Sequence, residues 1–162
     1  MSVEIPSPDN RRLIVRVFAR EFLSGLRALG KARNTDTIAL ILFTGIWSAN
    51  TQHLTPPRNR RYAETMDIPP DSQRTPISLA DLVEQTGVPR AIAATYVREM
   101  LDGGILEMWE TGLVVPSAVI ARLETVESLT ETHEHLVGMV SALQSAGLRF
   151  DSGPNAVRLR KK

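Results

Sequence analysis

The sequence predicts a mostly α-helical protein carrying one small β-hairpin. Apolar residues recur at three- and four-residue spacing over two long stretches, roughly 8–30 and 117–147. A glycine turn at Gly87 separates two shorter helical patterns. Two short apolar runs, Ile105–Trp109 and Leu113–Val115, flank Glu110-Thr111-Gly112, which is a hairpin signal. With 162 residues, 43% hydrophobic and 23% charged, the chain can bury a core, and wholesale disorder is excluded.

The first helix has its start signal at Ser7-Pro8-Asp9, with serine as cap, proline in the first turn and an acid beside it. At 100° per residue Val15, Phe18, Phe22, Leu26 and Leu29 share one face. Arg12, Arg16, Arg20, Arg27 and Lys31 form a stripe roughly opposite, so the helix is amphipathic with a basic outside, and Gly30 is its stop. Asn34 and Thr35 offer caps to the next element. Its apolar run from Ile38 to Trp47 continues past Gly45 through Ala49, which favours a helix buried nearly all round and ending near His53 over a buried strand. Residues 1–54 are thus a helical pair. Phe43 and Trp47 are read as core.

Residues 55–76 change character, with five prolines among Arg58, Arg60, Arg61, Arg74 and several acids. A loop of this length inside a domain is either mobile or functional. The compact unit 77–116 follows. Ser78 with Asp81 is a capping-box-like start for a helix from Leu79 to Thr86. Gly87-Val88-Pro89 is a tight turn, and the next helix, Arg90 to Asp102, is expected to bury Ile92, Ala93, Tyr96, Val97, Met100 and Leu101 before Gly103-Gly104 closes it. The hairpin comes next. Ser117 is expected to cap one long helix over 117–147, with Val126, Leu129, His133, Leu136, Val140 and Leu143 along a narrow seam like a short coiled coil. Residues 148–162 end in the basic tail Arg158-Leu-Arg-Lys-Lys162.

Helix, glycine turn, helix and strand pair is the layout of a winged helix-turn-helix. The stretch Ile77-Ser-Leu-Ala-Asp-Leu-Val-Glu-Gln-Thr-Gly87-Val-Pro-Arg90, continuing from Tyr96 to Gly104-Ile105-Leu106, resembles the bacterial winged-helix transcriptional regulators of the broad MarR/GntR type. The resemblance covers about 40 residues, a quarter of the chain. It implies double-stranded DNA as partner, a recognition helix at 90–102 and a wing tipped by Thr111. The flanking long helices would build a homodimer, and a cavity beside the second helix would admit a small-molecule effector of unspecified chemistry. Facing away from the unit's own core, Arg90, Ala91, Ala94, Thr95 and Arg98 are the candidate DNA-reading residues. Arg90 would meet guanine edges, Thr95 a phosphate or thymine methyl, and Arg98 a phosphate.

Charge distribution departs from that pattern. The whole chain is +1, yet residues 1–34 carry 7 basic and 3 acidic groups (+4), whereas 77–116 carry 2 and 6 (−4). Phosphate contacts supply most non-specific affinity for DNA, so positive charge must come from elsewhere: Arg58, Arg60 and Arg61, the first-helix stripe, or the tail. Two readings stand. One is a DNA-binding transcriptional regulator; the alternative is a winged-helix adaptor that binds proteins through a neutral or acidic face.

Other chemistries find little support. His133 and His135 are two residues apart, so on a helix their imidazoles diverge by about 200° and cannot share an ion. There is no phosphate-cradling glycine loop and no nucleophile elbow, and without cysteine no thiolate site, so neither enzyme, cofactor nor metal is expected. The lack of cysteine, of a signal-peptide pattern and of any spanning apolar run predicts a cytoplasmic protein with no membrane partner.

Overall fold

A computed structural model describes residues 9–32, 35–54 and 67–149, the side chains of residues 31, 32 and 123 excepted. It is mostly helical with one two-stranded antiparallel sheet. In chain order the helices are α1 (Arg11–Ala32), α2 (Thr37–Thr51), α3 (Leu79–Thr86) and α4 (Arg90–Asp102). Strands β1 (Glu107–Trp109) and β2 (Gly112–Val114) follow, then α5 (Ser117–Ile120) and α6 (Leu123–Ser145). Two compact units share these elements. One is Arg27–Glu131; the other joins the N-terminal stretch through Leu26 to the C-terminal stretch from Thr132.

The core of the larger unit lies between α2, α3 and α4. Leu42, Ile46, Leu82, Ala93 and Val97 are buried there, with Leu113 and Val115 of the hairpin closing one end. Each of the leucine, isoleucine and valine side chains contributes about 1.5–3 kcal/mol if fully shielded. α2 is helical as its pattern predicts, although Ile41, Thr44 and Ser48 keep one side exposed. Its cap is Asp36, not Asn34 or Thr35: the carboxylate accepts the N–H groups of Ile38 (2.8 Å) and Ala39 (3.0 Å). The Ala39 bond above all holds the Asp36 carboxyl below its ordinary range.

One buried amide joins three parts of this unit. Asn50, fully buried in the last turn of α2, donates to the carbonyls of Thr75 (2.8 Å) and Leu113 (3.1 Å). Its side-chain oxygen accepts the N–H of Val115 at 2.9 Å. Thr75 N–H returns a bond to the Asn50 carbonyl. Next to it Arg74 is buried as well, its Nε on Asp71 (3.1 Å) and its Nη2 on the Pro69 carbonyl (3.1 Å). Asp71 also accepts Ser117 N–H at 2.6 Å, so the second half of the predicted loop is fastened to the start of α5. The first half, 55–66, lies outside the described residues.

Several expectations are corrected. α1 begins at Arg11 and passes Gly30 to Ala32. Ser7 and Pro8 lie outside the described residues, and Asp9 stands ahead of the helix, bonding Arg11. Of the expected inner face of α1, Leu26 and Leu29 are half-buried, but Val15, Phe18 and Phe22 are 64, 46 and 50% exposed; in the first turns the half-buried positions are Ile14, Val17, Glu21 and Gly25 instead. Ile92 is 40% exposed: it sits about 100° round α4 from the buried Ala93, Val97 and Met100. The strands are shifted from the predicted runs, and Ile77 adds an antiparallel bridge to Leu113. At Gly112, φ is 149° and a Cβ would come within 2.5 Å of the Ile77 carbonyl oxygen, so only glycine fits.

The single long helix expected from Ser117 is two helices. Pro116, not Ser117, is the cap position, and the chain breaks at Ala121-Arg122. There the Thr125 hydroxyl donates to the Val119 carbonyl (3.0 Å), the acceptor a continuous helix would offer to residue 123. On α6 the seam is buried only at Leu143; His133, Leu136 and Val140 are exposed.

Replacing Asn50 by Leu takes the side-chain partner from the Thr75 carbonyl and the Val115 N–H and leaves the Leu113 carbonyl with the Ile77 N–H alone, and is expected to lower the unfolding free energy by about 3 kcal/mol in urea titration. Asp36→Ala is expected to cost about 1 kcal/mol at neutral pH. Because the folded carboxyl is shifted down, its contribution exists above the ordinary carboxylate range and is lost as pH falls through the folded value. The gap between wild type and Asp36→Ala in urea curves should therefore close below about pH 4.

Candidate nucleic-acid interface

The candidate site is built on α3, α4 and the hairpin. Ser78 caps α3, its hydroxyl accepting Asp81 N–H at 3.1 Å and donating to the Asp81 carboxylate at 2.6 Å. α3 ends at Gly87, whose φ of 69° is left-handed, at the tight turn expected there. Val88 is buried, Pro89 sets the direction, and α4 starts at Arg90 with no side chain capping it. A left-handed Gly104 follows the end of α4.

Ala93, Val97 and Met100 fasten α4 to the core at i, i+4, i+7 spacing. The opposite stripe is Ala91, Thr95, Arg98 and Asp102, all exposed, with Arg90 and the half-buried Ala94 on one shoulder. Five predicted residues, Arg90, Ala91, Ala94, Thr95 and Arg98, thus occupy one arc of α4. The other shoulder carries Ile92 and Glu99, which sequence reasoning left out of the site although their helical positions could have shown it. Thr95 returns its hydroxyl to the Ala91 carbonyl at 3.1 Å, so its methyl is the more available group. Among the described residues neither Arg90 nor Arg98 has an ion-pair partner, and the possible pair of Arg98 with Asp102 does not form.

The sixth, Thr111, is exposed at the hairpin turn beside Glu110. Along β1 Glu107 and Met108 are exposed, and Glu107 accepts the indole N–H of Trp109 at 3.2 Å. Asp81, Glu84, Glu99, Asp102, Glu107 and Glu110 are all exposed, so the −4 charge of residues 77–116 reaches the surface. Arg58, Arg60 and Arg61 lie outside the described residues. Arg74 is withdrawn into the interior, where burial pushes its guanidinium below the usual value against the pull of Asp71.

Behind α4 is a cavity of about 180 Å³, lined by Ala39, Leu40 and Phe43 of α2, Met100 of α4, Ile105 and Val119, and by the polar Thr35, Arg122, Glu124 and Thr125. Among the described residues no group of three or more His, Asp or Glu could hold a metal ion, and no helix is long and apolar enough to cross a membrane. No protein-family model, curated protein or solved structure matches the chain.

Proposed function

We propose that residues 77–116 form a winged helix-turn-helix, and that the chain is a cytoplasmic transcriptional regulator that binds double-stranded DNA as a homodimer. The observation that carries this reading is the arc on α4. One side of the helix is fastened to the core by Ala93, Val97 and Met100, and the other presents Arg90 and Arg98 without competing acids bonded to them. Ala91 and Ala94 between them are small enough to let the helix approach base edges closely. The order of helix, bridge at Ile77, helix, glycine turn, helix and hairpin supports the same reading. A homodimer would present two such helices to half-sites about 34 Å apart. The cavity behind α4, with apolar walls and Arg122 and Glu124 among its lining, offers room for the small-molecule effector the resemblance implies, whose chemistry stays unspecified.

A second reading has its own observation. Six exposed acids, with exposed Ile92 and Met108 among them, suit a protein partner better than a phosphate backbone. In that case the unit is an adaptor.

Binding to genomic DNA fragments across a salt series separates the two. The wild type is expected to hold a subset of fragments at low salt. Arg90→Ala should weaken the preferred fragment by about 1–3 kcal/mol and relax its sequence preference, whereas Arg98→Ala should reduce the salt slope by about one. If no fragment is held at low salt, the DNA reading fails and the adaptor stands. If both variants keep wild-type affinity and slope, α4 is not the reading helix.

A further inference from the structure

We infer that the leading half of α4 selects its DNA through the 5-methyl groups of thymine, with hydrogen bonding left to the arginine at its head. This rests on the DNA reading above and names the group that the helix recognises. Residues 90–96, the two turns that go deepest into a major groove, hold one cation, Arg90, and no acid. The acids of α4, Glu99 and Asp102, both lie in its second half. Beyond Arg90, the exposed side chains of the leading half are Ala91, Ile92 and Thr95, while Tyr96 is half-buried against the core. Thr95 is four residues from Ala91 and three from Ile92, so the three adjoin on the helix surface. The Thr95 hydroxyl donates to the Ala91 carbonyl at 3.1 Å, a bond inside its own helix, which leaves the methyl as the group it offers. The outward surface of these turns is therefore aliphatic, and Ile92, 40% exposed, is its largest member.

What such a surface can recognise is narrow. Every base turns hydrogen-bonding groups to the major groove, but thymine alone adds an apolar one, its 5-methyl. Aliphatic side chains gain by covering that methyl, and they leave a cytosine amino group in the same place without a partner. The scale agrees. Residues 90–96 span about 9 Å of helix axis, close to three base-pair steps of about 3.4 Å. A protein partner is the poorer occupant, because three side chains, one of them alanine, fall far short of the ~800 Å² that a stable protein interface buries on each side. Arg90 precedes the aliphatic patch and Arg98 follows Thr95 by about one turn, so a cation stands at either end of it.

The test takes the preferred genomic fragment, amplified once with thymidine and once with deoxyuridine, which pairs alike but lacks the 5-methyl. Amplified DNA carries no methylated cytosine, so thymine is the source of every methyl removed. The full chain should lose about fourfold in affinity for each methyl it no longer covers, and more than about tenfold where two are covered. The salt slope should stay the same, since no phosphate contact changes. Thr95→Ser keeps the hydroxyl and removes the methyl; it should bind the thymine fragment about fourfold more weakly and the uracil fragment as the wild type does. Thr95→Val keeps the methyl and removes the hydroxyl; it should match the wild type on both. Position 95 is exposed, so circular dichroism should show native helicity in each variant. A uracil fragment held as tightly as its thymine counterpart overturns the methyl inference and leaves the DNA reading standing. Thr95→Val weakened while Thr95→Ser is not does the same, because the hydroxyl is then the contact. If no fragment is held at low salt, both readings fall.

Discussion

The fold of the larger unit depends on one buried amide. Asn50 ends α2, yet its three side-chain bonds go to segments 25 to 65 residues further along the chain. Thr75 is where the loop returns, Leu113 is the middle of β2, and Val115 is where the chain leaves the hairpin. A fully buried polar group is tolerated only when its donors and acceptor are all used, and those of Asn50 are. The amide is therefore a fastening with direction, which apolar packing alone does not supply. It fixes the hairpin against the same helix on which α3 and α4 rest.

Local signals were legible in the sequence, and long-range ones were not. The Ser78–Asp81 cap, the tight turn at Gly87 and the boundaries of α3 and α4 follow from chemistry within four residues, and they appear as predicted. The hairpin and its turn were visible for the same reason, though the strands moved by one or two residues. Asn50 gave no signal, because an asparagine near a helix end reads as solvent-facing until its distant partners are known. Arg74 misled in the same way: among prolines and acids it reads as loop charge, whereas Asp71 and the Pro69 carbonyl take it inside. The break after α5 depends on a threonine reaching back six residues, which periodicity does not register. α1 is the sharpest case. Periodicity found its most apolar face, but three of that face's residues, Val15, Phe18 and Phe22, are exposed, while Ile14, Val17, Glu21 and Gly25 are half-buried.

Of the candidate site, the arc on α4 was legible and its electrostatic setting only in part. Counting charges by segment predicted −4 for residues 77–116, and exposure of all six acids makes that count a property of the surface. What counting could not show is which basic groups remain outside. Arg74 is withdrawn into the interior, and α4 presents Arg90 and Arg98 exposed together with its own exposed acids, Glu99 and Asp102.

Gly112 has a separate consequence for how the hairpin can vary. Its backbone passes so close to the Ile77 carbonyl that no side chain fits, which locks the returning strand to the segment entering α3. Length or charge added before that glycine would project outward, whereas a change at it would push into the entry to α3. Variation is thereby confined to two consecutive exposed positions, Glu110 and Thr111. A lineage could exchange acid for base there and retune what the hairpin tip touches, while the three helices behind it remained undisturbed.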